Sequence, residues 1–293
     1  MPLLIICNLS LYRFAESVIP YLVDYGFDGL DLDWEFPAWG RFRSKPEQKH
    51  NFTLTLQALR ETFDNYTEKR VLPKYLLTTA VASTIPLILG CYEIPEMSKY
   101  VDFINLMTYD IHGFGKTTPF TGHNSPMYSG QSLLDKTIFY YYNMVNIDFI
   151  YELWVEHGMK KSQIRVGIPT YAHTFHLLSE KSHGLYSLAT GYNTTLGDEI
   201  SRALICKLLN DTSFKQVWDK DCAVPYAYSG TTWISYENKQ SVYMKVKWIL
   251  ENKYGGIMTY SLNVDDYVGQ QCGEKWPMHR NIFNAAKKYS PIQ

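Results

Sequence analysis

The sequence predicts an α/β protein of the TIM (β/α)8-barrel type interrupted by one stretch of different character, and three observations predict it. Strand-like apolar runs alternate with helical patterns, the signature of parallel strands covered by helices. Chemically loaded side chains, Glu35, Tyr109 and Tyr171 among them, fall at the C-terminal ends of those runs, where barrels of this type hold their active sites. Between about 175 and 237 the rhythm gives way to Gly-, Ser- and Tyr-rich sequence.

Taken in order, residues 11–25 set Leu11, Phe14, Val18 and Leu22 at helical spacing, with Pro20 expected to kink the axis. Runs at 27–35, 75–82, 102–109, 164–171 and 256–262 read as buried parallel strands. Helices are predicted over 51–63 and 133–157, where apolar residues recur at helical spacing. Within the irregular stretch, 198–209 reads as a helix and 231–236 as a strand, after which a helix over 241–251 returns the chain to the barrel. The boundaries that follow are 1–174 for the barrel's first part, 175–237 for the insertion and 238–293 for the barrel's end.

The strand at 27–35 carries the most informative residues. In DGLDLDWEFP, residues 28–37, Asp31, Asp33 and Glu35 alternate with Leu30, Leu32 and Trp34. Successive side chains point to opposite faces of a strand, so the three acids share one face. An ordinary strand with one wet face has the same alternation, but Asp and Glu are poor strand formers. Neighbouring carboxylates repel when ionised, which raises at least one pKa and retains a proton in the group. Such a cluster supplies a general acid and a charge stabiliser together. Asp28 points to the opposite face, which fits a structural hydrogen bond, and Trp34 and Trp39 fit core or rim packing.

Composition bounds the function. The 293 residues carry a net charge of −1, with 46% hydrophobic and 15% aromatic residues, the profile of a soluble globular protein with a large core. Nothing basic points to nucleic acid, and no apolar run approaches the ~18 residues needed to span a bilayer. The 24 tyrosines suit a groove offering flat apolar faces and hydroxyls to sugar rings, beside many that simply pack. Five cysteines and five N-x-S/T sequons, at Asn8, Asn51, Asn65, Asn193 and Asn210, point to the secretory pathway. The start, MPLLIICNLS, has neither a basic leader nor a small-residue cleavage site, so the signal peptide of a secreted fold is missing from its expected place. The C-x15-C and H-x2-H spacings lack the paired-ligand pattern of a zinc site, and no metal or cofactor is predicted.

The acid run resembles the active-site signature DGLDxDWEYP of glycoside hydrolase family 18, the chitinases and chitinase-like lectins. Further segments match in the same order: YEIP at 92–95, MTYDIHG at 107–113, TGHNSPMY at 121–128, GIPTYAHTF at 167–175, VPYAY at 224–228 and GGIMTYSLNVDD at 255–266. The resemblance covers the chain from about Leu11 onward. It implies a (β/α)8 barrel of which strands 4 to 8 are present and the front is truncated, with the apolar run Leu3 to Cys7 standing in for part of the third strand and a small α+β domain inserted over 175–237 after the seventh strand. It also implies a chitin or chito-oligosaccharide partner, a monomer, and extracellular location. Cys206 and Cys272 sit where relatives have a disulfide, while Cys7, Cys91 and Cys222 have no family partner.

By the same resemblance, Glu35 is the proton donor, Asp33 orients the substrate's acetamido group, and Asp31 shares a proton with Asp33. Met107, Tyr109, Asp110 and Tyr171 match sugar-contacting positions, and for Tyr109, Asp110 and Tyr171 the bland alternatives are buried strand-end tyrosines and a capping aspartate. His173 stands where relatives carry Arg or His; as His it is expected to titrate near pH 6 to 7 and to make activity pH-dependent. Two matched segments depart from the family. Tyr260 replaces the tryptophan floor beneath the reacting sugar, and HGFG replaces HGSW, leaving Phe114 as a candidate sugar contact. An endo-acting chitinase is therefore the first reading, and Glu35 favours it because the lectin-like relatives typically lose this acid. A non-catalytic chitin-binding lectin is the alternative, and an inactive fragment the third.

Overall fold

The computed structural model describes residues 2–40 and 45–290, the side chains of residues 2–8 excepted. The chain divides into two compact units, Met1–Leu106 with Glu152–Arg165, and Met107–Tyr151 with Val166–Gln293.

The first unit begins with α1 (Pro2–Tyr25) and β1 (Gly29–Asp33), followed by α2 (Glu47–Glu68), β2 (Leu76–Val81), α3 (Ile85–Cys91), α4 (Ile94–Met97) and β3 (Phe103–Leu106). Helix α1 packs on α2 and buries Ala15, Val18 and Leu22, spaced to fall on one stripe. Pro20 lies inside α1 without ending it. The expected extended piece at Leu3–Cys7 is instead helical, as the opening of α1. Adding a residue to an existing helix gains one hydrogen bond, whereas a lone extended segment leaves its backbone groups unpaired.

Strands β1, β2 and β3 pair in parallel, Gly29 opposite Leu76 through Asp33 opposite Ala80, then Thr78 opposite Phe103 through Val81 opposite Leu106. Gly29 is required by this pairing, because a Cβ there would lie 2.1 Å from the Leu76 carbonyl oxygen. Phe52, Leu56, Leu59 and Phe63 line the buried face of α2, and Leu77, Val81, Ile104 and Leu106 are buried on the strands. The buried Arg60 answers Asp64 at 2.7 Å and Asp102 at 3.1 Å and donates to the Tyr75 carbonyl at 2.9 Å.

In the second unit the predicted helix over 133–157 is corrected to three pieces: α5 (Leu133–Lys136), α6 (Tyr140–Met144) and α7 (Ile147–Glu156), the last crossing into the first unit. A capping box of Ser132 and Asp135 starts α5, and Thr137 leaves helical geometry at φ −128°. Asn146 then takes over the gap before α7: its Nδ2 donates to the Asn143 and Met144 carbonyls while its Oδ1 accepts from the Phe149 amide. Competing side-chain hydrogen bonds of this kind interrupt a helix that apolar spacing alone would continue.

Strand β4 (Ile164–Pro169) enters the second unit at Val166. It is followed by β5 (Ala172–Leu177), β6 (Ala189–Gly191), β7 (Glu199–Ile200), α8 (Arg202–Leu209), β8 (Lys215–Asp219), β9 (Val224–Ser229) and β10 (Thr232–Ser235). These build an antiparallel sheet in the order β6-β5-β10-β9-β8, with β7 also on β5. The chain continues through α9 (Lys239–Glu251), β11 (Gly256–Tyr260), which neighbours β4, and α10 (Pro277–Tyr289), which packs on α9. Thus all five expected parallel-type strands are present, as β1, β2, β3, β4 and β11.

A disulfide joins Cys206 on α8 to Cys272, with Cα atoms 5.2 Å apart. Cys91 and Cys222 are buried free thiols, while the side chains of Cys7 and Asn8 lie outside the described residues.

Candidate active site

On β1 the alternation read from the sequence holds: Asp31, Asp33 and Glu35 are exposed, and Leu30, Leu32 and Trp34 are half-buried. Trp34 packs edge-on against Phe52, Phe52 against Tyr92, and Tyr92 against Trp154, so an aromatic row backs the acid face. Trp39 is exposed at the rim. The acids are not equivalent. One oxygen of Asp31, Oδ1, accepts hydrogen bonds from the Thr78 hydroxyl on β2 and, at 2.9 Å, from the Asn105 amide on β3. Asp33 is held above the usual carboxylate range, first by partial desolvation and then by the negative charge of Asp31. Glu35 lies two residues beyond the strand's last residue, Asp33, and its peptide to Phe36 is cis. Asp28 contributes its carbonyl, which accepts from the Leu76 amide at 2.9 Å.

In the second unit a separate set of predicted residues forms one network. Tyr109 stacks on Tyr260 with ring centroids 5.6 Å apart and meets Tyr171 edge-on at 6.1 Å. Tyr171 also meets Tyr260 edge-on at 6.2 Å. The Tyr171 hydroxyl donates to Asp110 Oδ1, and His173 Nε2 meets the same oxygen at 2.8 Å. Asp110 adopts φ 54°, a left-handed backbone that non-glycine residues seldom take, and its amide donates to Asn124 Oδ1 at 2.7 Å. Met107 is half-buried just beyond β3. Tyr260, 52% exposed at the end of β11, presents the open ring of the three.

One expectation is corrected. His173 is buried and lies between two carboxylates, Asp110 Oδ1 and, at 3.2 Å from its Nδ1, Asp198 Oδ1. Burial alone would lower its pKa, but the hydrogen bonds and charges of Asp110 and Asp198 prevail and push it up to about 9, so it does not titrate near pH 6 to 7. Reciprocally, His173 and Tyr171 hold Asp110 below its ordinary range against the opposing effect of partial desolvation. Phe114, the candidate sugar contact, is half-buried and packs on one side against the core cluster of Phe175, Leu177, Ala189 and Trp233.

Sequence reasoning missed the supporting residues: Thr78 and Asn105 around Asp31, Asn124 behind Asp110, and Asp198 behind His173. Asn124 lies within the matched TGHNSPMY segment and was legible in principle; Asp198 is distant in sequence and sits in no motif.

The chain is similar to human Chitinase-3-like protein 2, 31% identical over 273 residues that cover 91% of this chain and 66% of that protein. To Chitotriosidase-1 of Mus musculus it is 33% identical over 271 residues, covering 92% and 56%. It therefore spans at most about two thirds of the length of these relatives. Among solved structures, a Group IV chitinase of Ostrinia furnacalis in complex with allosamidin superposes with a TM-score of 0.85 at 28% identity, over 96% of this chain and 74% of that one. Human YKL-39, described as a pseudo-chitinase with retained chitooligosaccharide binding properties, superposes with a TM-score of 0.87 at 28% identity, over 95% and 74%. The family model for glycosyl hydrolases family 18 matches residues 8–265, and the chain accordingly belongs to that family.

Proposed function

We propose that the protein to which this chain belongs hydrolyses chitin or chito-oligosaccharides, polymers of β-1,4-linked N-acetylglucosamine, by a substrate-assisted retaining mechanism. The observation that carries the reading is the inequality within the acid run: Asp33 is held above its ordinary pKa beside an Asp31 fixed by Thr78 and Asn105. Glu35 protonates the glycosidic oxygen as the bond to the anomeric carbon breaks. The acetamido carbonyl of the same sugar bonds to that carbon, so no enzyme carboxylate serves as nucleophile. Asp33, sharing a proton with Asp31, orients the acetamido N–H and offsets the positive charge of the resulting oxazolinium ion. Water then attacks the anomeric carbon, breaking its bond to the acetamido oxygen and so regenerating the acetamide, and gives its proton to Glu35. Met107, Tyr109, Asp110, Tyr171 and His173 are assigned sugar contacts, with Tyr260 as the apolar floor. The partner is a carbohydrate rather than nucleic acid or membrane, no cofactor is required, and the protein is an extracellular monomer.

The alternative, a chitin-binding lectin without turnover, is favoured by one observation, the smaller Tyr260 ring where the family usually has tryptophan. Hydrolysis of a fluorogenic chito-oligomer, with Glu35→Gln as control, separates the two. Turnover abolished in the variant while oligomer binding persists supports the enzyme. Binding without turnover in the parent protein supports the lectin.

A further inference from the structure

We propose that His123, Asp219 and Cys222 form a binding site for a single divalent zinc-class cation. All three belong to the second unit. Each contributes one ligating atom, an imidazole nitrogen, a carboxylate oxygen and a thiol sulfur, and these atoms lie within 4.8 Å of one another. Nitrogen, oxygen and sulfur donors together suit a borderline-soft cation such as Zn2+ rather than Mg2+ or Ca2+. On binding, the Cys222 thiol, which burial and Asp219 otherwise keep protonated, gives up its proton to solvent, and the thiolate together with the Asp219 carboxylate neutralises the dication.

The ligands are held before any ion arrives. Asp219 Oδ1 accepts the backbone amides of Asp221 and Cys222, both at 3.0 Å, while Oδ2 faces His123 Nε2 at 3.0 Å. The Met127 amide donates to the Cys222 carbonyl at 2.9 Å, tying the loop that carries the thiol to the segment that carries His123. The imidazole packs beside Tyr226 and Trp233. Outer contacts that fix a ligand's orientation in this way are characteristic of metal sites.

His123 is only 4% exposed, and with Nε2 turned to Asp219 its Nδ1 points away from the other two ligands; among the described residues that Nδ1 has no hydrogen-bond partner. His123 and Cys222 also line a cavity of about 30 Å3 together with His112, Tyr142 and Tyr186. That space admits a water molecule, which serves as the fourth ligand or as the partner of Nδ1. Residues 123, 219 and 222 form no spacing motif, which is why the sequence hides the cluster.

The test is metal binding by the purified full chain after chelator treatment and dialysis. One equivalent of Zn2+ is expected to bind and to raise the melting temperature. Co2+ in its place is expected to give thiolate-to-cobalt charge-transfer absorption, a signature that a merely hydrogen-bonded cluster cannot produce. Cys222→Ala abolishes that absorption, and His123→Gln weakens Zn2+ binding at least tenfold. Should either variant fail to fold, protection of Cys222 from alkylation by Zn2+ in the unsubstituted protein reads the same site. Failure to bind Zn2+, binding unchanged in Cys222→Ala, or alkylation of Cys222 unaffected by Zn2+ overturns the proposal.

Discussion

Asp110 Oδ1 and His173 Nε2 lie 2.8 Å apart, and this pair, closed on its far side by Asp198, turns an expected pH sensor into a fixed cation. The groups facing the imidazole are Asp110, Asp198, Tyr171 on the same strand side, and Glu199, whose backbone pairs with that of His173. The folded-state pKa of about 9 stands above the ordinary value near 6.5. Stability from this group is therefore complete below about pH 6.5 and is lost as pH rises through 9. Because Asp110 and Asp198 are 53% and 47% exposed, screening limits the contribution to about 1–2 kcal/mol. Urea denaturation at pH 6 and pH 10 should show that loss in the parent protein and not in His173→Gln. The same charge state predicts that His173→Arg leaves the pH profile of hydrolysis unaltered between pH 5 and 7; a moved profile contradicts it.

Asp31 and Asp33 invite a second test, directed at the proton they share. Partial desolvation and the Asp31 charge both raise Asp33, so Asp31→Asn removes one cause and leaves the other. The acid limb of the rate profile should move to lower pH, while turnover falls by about 10- to 100-fold as the charge stabiliser is weakened. Thr78→Val deletes one of the two donors to Asp31 Oδ1 without touching substrate. A smaller loss in turnover with unchanged KM is expected, since the change alters how the acid pair is held rather than what the sugar contacts. Steady-state rates across pH with a chito-oligomer read both effects.

The extent to which these features were legible depends on distance along the chain. Strands β2, β3 and β4 are apolar runs whose burial is written in adjacent residues, whereas β1 and β11, also read as buried, are only half-buried with exposed positions. The break between α5 and α7 escaped periodicity because it is set locally, where Thr137 leaves helical geometry and Asn146 spends its side chain on nearby backbone groups. The acids of β1 were legible because a strand's twofold repeat places them on one face. The charge of His173 was not, because its carboxylates lie 63 and 25 positions away. Leu3–Cys7 was misread as extended for a similar reason: an apolar run has no preferred secondary structure until its neighbours decide it.

Tyr260 bears on affinity more than on chemistry. Its ring stacks on Tyr109 and is half open, and a phenol covers less of a sugar face than an indole. Tyr260→Trp should tighten chito-oligosaccharide binding by about 0.5–1.5 kcal/mol, or roughly 2- to 10-fold in Kd. Isothermal titration with the Glu35→Gln background isolates binding from turnover. An unchanged or weakened Kd would show that the open Tyr260 face is not a sugar platform.

Lys245 and Glu237 supply the last prediction. The ammonium is buried on α9 and donates to the Ser125 carbonyl at 2.6 Å, the Ser125 hydroxyl at 2.9 Å and the Glu237 carboxylate. Burial draws the Lys245 pKa down while Glu237 opposes it, so the pair holds its charges only as a pair. Lys245→Met strands a buried carboxylate and should cost about 3–5 kcal/mol. Glu237→Gln in the same chain removes that stranded charge and should return a substantial part of the loss, because most of the penalty belongs to the unpaired anion rather than to the bond removed. A double-mutant cycle in urea measures the coupling directly. If the two changes simply add, Ser125 rather than Glu237 is the partner that keeps Lys245 in place, and the ion pair contributes nothing to anchoring α9.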